Sequence, residues 1–352
     1  MVTVEVNHLN KNFGKLRVLN DINLKINNGE LFVVIGPSGS GKSTLLRIIA
    51  GLESPDSGNV LFDGLDVTTI PPNKRGIGMV FQDYAIWPHM NVEQNIKFVI
   101  KNKKPEEEEE ILKDVLETVG LLSKRKNRPS ELSGGELQRV AIARALAVKP
   151  RLFLMDEPLS NLDEKIRKEL LVEILDIVKE NNLTTLFVTH SQEEAFEIGD
   201  KIAVINKGVI EQMGISDELI NTPSSSFVAK FIGDNLVLDG KLIDMKSDVA
   251  TIELDNLGTI NIIPKNRPDL NEGESISLIV RMNDLKISDG NQNNSFKVKI
   301  ISKKIIKDKV KAYFETPNLI RIGLEINSSW KGENGEWAFL EIPDYKSFIF
   351  KR

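Results

Sequence analysis

An α/β domain followed by a smaller all-β domain is the fold class this sequence predicts, and three observations predict it. Residues 36–44 read Gly-Pro-Ser-Gly-Ser-Gly-Lys-Ser-Thr directly after the apolar run Leu31-Phe32-Val33-Val34-Ile35. Two further apolar runs, Arg151–Met155 and Thr185–Thr189, each deliver polar residues at their ends. From Leu236 onward the texture changes to short β-like runs separated by turns.

The 31–35 run is β-branched and apolar, as a buried parallel strand requires. The loop after it fits G-x-x-x-x-G-K-[ST]. Lys42 to Ala50 then shows helical apolar spacing at Leu45, Leu46, Ile48 and Ile49. A strand, a glycine loop and a helix N-terminus place several backbone N–H groups around one anion. The cradle comprises Gly36, Pro37, Ser38, Gly39, Ser40, Gly41 and Thr44. Lys42 is expected to reach the β- and γ-phosphates and the Ser43 hydroxyl to bind Mg²⁺. This is the plan of an α/β P-loop NTPase. At the end of the second run stand Asp156 and Glu157. Adjacent residues leave a strand in different directions, so Asp156 is assigned to the metal and Glu157 to the attacking water.

Between these segments lies Leu132-Ser133-Gly134-Gly135-Glu136, followed by a helical pattern to about Val148. Ser133 and the Gly134 and Gly135 amides open that helix as a second anion site with no lysine of its own. With this segment the chain resembles the ATP-binding subunits of ABC transporters, whose signature loop usually ends in Gln where Glu136 stands. The resemblance implies a homodimer in which this loop closes on ATP held by another copy. Smaller elements follow the same order. Gln82 resembles the glutamine that senses Mg²⁺ and the membrane partner. Asp163 in Ser160-Asn161-Leu162-Asp163 resembles the acid across the dimer interface. His190 resembles the histidine contacting the γ-phosphate, and Phe13 the aromatic stacked on adenine.

Residues 1 to about 75 hold strands, and about 90 to 131 are mainly helical. Pro105 followed by Glu106–Glu110 starts a helix with apolar Ile111, Leu112, Val115, Leu116 and Val119, and its five acids read as a solvated face that suits the helix dipole. The helical stretch resembles the family's helical subdomain, placed at about 90–150 within an ATP-binding domain of residues 1–234. Tyr84-Ala85-Ile86-Trp87-Pro88-His89-Met90 puts apolar and aromatic bulk in a loop. Beside Gln82 that loop is a candidate socket for two transmembrane permease subunits, with an extracellular substrate-binding protein as an indirect partner. The β-like runs Val249–Leu254, Ile260–Ile263, Ile276–Val280, Phe296–Ile301, Leu319–Leu324 and Trp337–Ile342, with turns such as Asp289-Gly290, predict an OB-like barrel over 235–352. It resembles the C-terminal regulatory domain of importer ATPases, and a regulatory or dimer-stabilising role is implied.

Composition sets the remaining bounds. The formal charge of −5 gives no nucleic-acid footprint. Absence of cysteine excludes a disulfide framework, and the 3 histidines are scattered, which argues against a metal cluster. No apolar run approaches the ~20 residues that span a bilayer, and the N-terminus lacks a signal peptide's basic start, so a peripheral position on the cytoplasmic face of the membrane is expected. Asp66-Val67-Thr68-Thr69-Ile70-Pro71-Pro72 and the tail length resemble the importer branch, with sugar (maltose-type) importers as the first reading. Iron, polyamine or sulfate import is the alternative. A soluble ABC ATPase of DNA repair or translation is the competing class, whose zinc modules, coiled coils or paired cores are not found here.

Overall fold

The computed structural model describes residues 2–101, 103–266, 269–288, 290, 294–306, 309–326 and 330–352. They fall into two units, Met1–Ser216 and Asp217–Arg352. In the first unit, apolar residues alternate inward along β1 (Val4–Phe13) and β2 (Leu16–Ile26), which pair antiparallel. With β4 (Ser57–Phe62) and β5 (Leu65–Asp66) they form a sheet of order β2-β1-β4-β5.

The second sheet positions the site. Strands β3 (Leu31–Ile35), β7 (Leu152–Asp156) and β8 (Thr184–Thr189) are buried at every residue. That is why they read as continuous apolar runs: a parallel strand covered on both faces has no outward polar positions. They lie side by side, with β6 (Ile77–Val80) beyond β7 and β9 (Lys201–Asn206) beyond β3, all parallel. An antiparallel edge strand, β10 (Val209–Gly214), completes the order β10-β9-β3-β8-β7-β6. Helices α1 (Lys42–Ala50), α5 (Glu164–Glu180) and α6 (Gln192–Ile198) belong to this core.

The helical part comprises α2 (Val92–Ile100), α3 (Pro105–Thr118) and α4 (Gly134–Ala147). The apolar face expected for α3 is buried at Ile111, Leu112, Val115 and Leu116. One of its half-exposed acids is also paired. Glu109 binds the Arg125 guanidinium, and Lys97 lies 3.2 Å from it. Arg125 also reaches Glu93 at 2.8 Å, so one guanidinium ties α2 to α3. No helix among the described residues is long and apolar enough to cross a membrane.

The second unit opens with α7 (Ser216–Asn221) and α8 (Ser226–Phe231) and is otherwise all-β and OB-like. One sheet runs β13-β12-β11-β14-β20, from β11 (Asn235–Lys246), β12 (Val249–Leu254), β13 (Gly258–Ile262), β14 (Ser275–Arg281) and β20 (Ser347–Lys351). The other runs β15-β19-β16-β17-β18, from β15 (Lys286–Ser288), β16 (Ser295–Ile306), β17 (Lys309–Glu315), β18 (Arg321–Ile326) and β19 (Trp337–Glu341). Inward residues of both sheets, such as Leu238, Ile252, Phe296 and Phe314, share one core. Two sequence expectations change here. Leu319 does not begin β18 but sits in a turn at φ 63°. The runs read from the sequence also omit β11, whose interior Gly240 lowers its strand signal. Glycine is required there because a Cβ would come 2.5 Å from the Glu253 carbonyl. Asp289 of the expected turn lies outside the described residues.

Candidate functional site

Register builds the site. Ile35 pairs with Thr189 across β3 and β8, and Asp156 pairs with Val188 across β7 and β8. Gly36, Glu157 and His190 therefore leave three neighbouring strands at one edge of the sheet. In parallel α/β sheets this carboxyl edge is where ligands bind.

The loop at that edge is shaped by close approach. A Cβ on Gly36 would lie 2.1 Å from the Ile205 carbonyl, and Gly41 stands at φ 106° with the Val18 carbonyl 2.7 Å from a would-be Cβ. Pro37, Ser38 and Gly39 form the loop's outer turn, and Ser40 N–H donates to the Pro37 carbonyl at 3.2 Å. Thr44 lies in the first turn of α1. Lys42 is 4% exposed, and its ammonium donates to the Gly36 carbonyl at 3.0 Å and the Pro37 carbonyl at 3.1 Å. Glu157 Oε1 lies 3.9 Å from it. Burial pulls the Lys42 pKa down, against the opposing pull of Glu157 and Asp156. The buried Ser40 hydroxyl has no partner. A desolvated cation, an orphaned hydroxyl and a glycine-lined loop together fit a bound phosphate.

The two adjacent carboxylates meet different partners. Ser43 Oγ donates to Asp156 Oδ1 at 2.8 Å, which pairs two hard oxygen donors suited to Mg²⁺. Burial pushes the Asp156 carboxyl above its usual range, opposed by the Ser43 hydrogen bond. No group of three or more His, Cys, Asp or Glu able to hold a metal occurs among the described residues. Mg²⁺ held by one carboxylate, one hydroxyl and substrate phosphates needs no such group. Glu157 is half-buried at φ 46°, a left-handed conformation uncommon for a non-glycine residue. His190 Nδ1 lies 3.0 Å from Glu157 Oε2, so the carboxylate orients the imidazole.

Two acids in this region were not singled out by sequence reasoning. Glu194, 6% exposed, accepts from Thr189 Oγ1 at 2.5 Å, just behind His190. Burial pushes its carboxyl above its usual range. Glu53 accepts from Lys11 at 2.7 Å, and the Lys11 ammonium lies 4.9 Å from the centre of the half-exposed Phe13 ring. Neither acid stands in a spacing pattern that would have drawn notice.

Other expected residues are placed elsewhere. Ser133 caps α4: Glu136 N–H donates to its hydroxyl at 3.3 Å, and Ser133 N–H donates to Glu136 Oε2 at 2.8 Å. Gly134 and Gly135 pack against Leu162 and Ile166. No hydrogen bond or ion pair among the described residues joins 133–136 to the phosphate loop. Asp163 caps α5, accepting from Ile166 N–H at 3.1 Å. Gln82 is exposed, and its carbonyl accepts from Asn161 at 2.9 Å.

A sequence profile described as "ABC transporter" matches residues 19–160. The spermidine/putrescine import ATP-binding protein PotA of Nitrosomonas eutropha is 43% identical over 267 residues, covering 75% of this chain and 74% of that protein. The sulfate/thiosulfate import ATP-binding protein CysA of Pectobacterium atrosepticum is 48% identical over 240 residues, 66% of this chain and 73% of that protein. A solved dimeric bacterial ABC transporter cassette is 30% identical, with TM-score 0.55 over 60% of this chain and 98% of its own. The relatives named here import polyamines or sulfate, which favours the alternative over the sugar reading. The physical reason lies in the resemblance itself: in this family the cargo does not touch this subunit, so no residue here encodes it.

Proposed function

The chain belongs to the ABC transporter family of import ATP-binding proteins, and from that premise we propose that it powers polyamine uptake through a membrane permease. It binds ATP with Mg²⁺ and hydrolyses the ATP. The observation that carries the polyamine reading is the extent of similarity. A spermidine/putrescine relative from Clostridium acetobutylicum aligns over 306 residues, 86% of this chain, whereas two sulfate relatives align over 240 and 260 residues. The 306-residue alignment covers more of the all-β unit than the shorter ones need to. Sulfate import is the second reading, favoured by the 48% identity of the 240-residue match.

In the proposed mechanism Lys42 and the loop amides bind the phosphates, and Ser43 and Asp156 would hold Mg²⁺, with Gln82 as a further ligand. Mg²⁺ neutralises phosphate charge when bound. Glu157 takes the water proton, and His190, held by the Glu157 carboxylate, would contact the γ-phosphate. Residues 133–136 and Asp163 serve the nucleotide of a second copy, and Phe13 stacks on adenine. The dimeric assembly of the matched cassette and the lack of any link from 133–136 to the chain's own phosphate loop support this. A groove of about 420 Å³, lined by Leu52, Ile77, Met79, Phe81, Trp87 and Val148, takes a permease segment. Its apolar walls beside Gln82 support a peripheral position on the cytoplasmic face of the membrane.

Uptake of labelled spermidine and labelled sulfate in cells lacking this chain tests the substrate. Loss of spermidine uptake alone is expected. Loss of sulfate uptake alone would replace the first reading with the second.

A further inference from the structure

The loop from Phe81 to Met90 is held from within by a cation that the roles above do not use. Arg144, near the end of α4, is 7% exposed and makes no ion pair among the described residues. Its Nη1 donates to the Ala85 carbonyl at 2.6 Å and its Nη2 to the Tyr84 carbonyl at 2.9 Å. The guanidinium carbon lies 4.7 Å from the centre of the Trp87 ring. A buried guanidinium keeps its charge, so two carbonyl dipoles and one ring face provide its compensation.

What it holds is a strained turn. Tyr84 and Ala85 stand at φ 61° and φ 48°, two consecutive non-glycine residues in the left-handed region. Such residues persist only where the surroundings over-determine them. A second clamp acts on the same loop. The fully buried Asn95 donates to the Trp87, Met90 and Asn91 carbonyls and accepts from Trp87 N–H. Helix α4 lies close against β6 at Gly78, where a Cβ would come 2.4 Å from the Ala145 carbonyl. Arg144 thus stands at one end of a rigid helix whose other end opens at Ser133.

We propose that Arg144 is a positioning residue for the partner-docking loop: it fixes Tyr84 and Ala85 in the left-handed turn that the permease recognises. The inference rests on the reading that this loop receives the permease. It also gives α4 a second task, joining the loop that serves a neighbouring nucleotide to the surface that meets the membrane subunits.

The test uses the full chain and the permease pair co-purified with its tagged wild-type form. Backbone hydrogen exchange across 82–90 and capture of the permease pair are measured for wild type, Arg144→Met, and Arg144→Met with Ala85→Gly. Arg144→Met should raise exchange across 82–90 by roughly tenfold, leave the 31–50 segment unchanged, and weaken capture by a similar factor. Glycine adopts the left-handed turn without steric cost, so Ala85→Gly should restore capture. A purely space-filling role predicts no such rescue, and absence of rescue overturns the proposal. Unchanged exchange in Arg144→Met also overturns it. The docking reading is judged separately on the wild type: if the permease pair does not slow exchange across 82–90, that reading fails and the permease role of Arg144 fails with it. A protected wild-type loop with unaltered exchange in Arg144→Met sinks the inference alone.

Discussion

Asp156 shows how far one residue's role was legible. Its position after an apolar run leads to the expectation of a metal ligand, and the structure sets it against the Ser43 hydroxyl, the contact on which that proposal rests. What the sequence did not reveal is the cost of holding it there. Its folded-state pKa is raised by burial. The folded chain therefore binds that proton more tightly than the unfolded chain. The resulting stability is full below the unfolded value of about 3.8 and is lost as pH rises through the folded value. Towards neutral pH that contribution therefore falls in the metal-free chain. Asp156→Asn should raise the melting temperature of the nucleotide-free chain at pH 7, by a few degrees at most, since ~1 kcal/mol moves a domain of this size by roughly 2–4 °C. The gain should shrink towards pH 4, and ATP-Mg²⁺ should stabilise the wild type more than the variant. Scanning fluorimetry across that range checks both signs. Glu194 was not legible, because a Glu four residues after a histidine is indistinguishable from a solvated helix residue until packing buries it.

Among the elements, α1 shows the same division. Its start was written in the phosphate-loop motif, but what holds its end was not. Arg75, 4% exposed, donates to the Ile48 and Ile49 carbonyls at 3.0 and 2.8 Å, and also to Ile70 and Thr68. It satisfies the orphan carbonyls of the last turn. Gly51 must be glycine to admit it, since a Cβ would lie 2.5 Å from Arg75 Nε. Arg75→Met leaves several buried acceptors unpaired, at about 1–3 kcal/mol each. A total loss of about 3 kcal/mol is expected, read as a lower denaturation midpoint with an unchanged slope. An arginine in a turn carries no sequence sign of this duty. Strand β17 was missed for a related reason: Lys309, Lys311 and Glu315 mask the inward alternation of Val310, Ala312 and Phe314.

For the whole molecule, the proposed sharing of the site between two copies makes a specific demand. Glu157→Gln should keep Lys42, Ser43 and Asp156 in place while removing the proton acceptor. Hydrolysis is expected to fall by about 10²–10⁴-fold. If 133–136 serve a second copy, the variant in ATP-Mg²⁺ should elute as a dimer and return to monomer when nucleotide is removed. A variant that stays monomeric at high concentration and still hydrolyses ATP would refute both the base assignment and the shared site.

Local geometry that depends on residues close in sequence was legible in the sequence alone. The phosphate loop and the Ser133 cap each complete their geometry within one turn and helix start, so spacing suffices, whereas Asp156 and Glu157 meet Ser43 and His190 only through the sheet. Only the tertiary structure decided what depends on register and burial. It brought Gly36, Glu157 and His190 to one sheet edge, and it used the Asp163 carboxylate as a helix cap. It also set Arg144 under two carbonyls some sixty residues away in the chain. A buried cation is stabilised by whatever dipoles the fold places around it, and no local pattern specifies those.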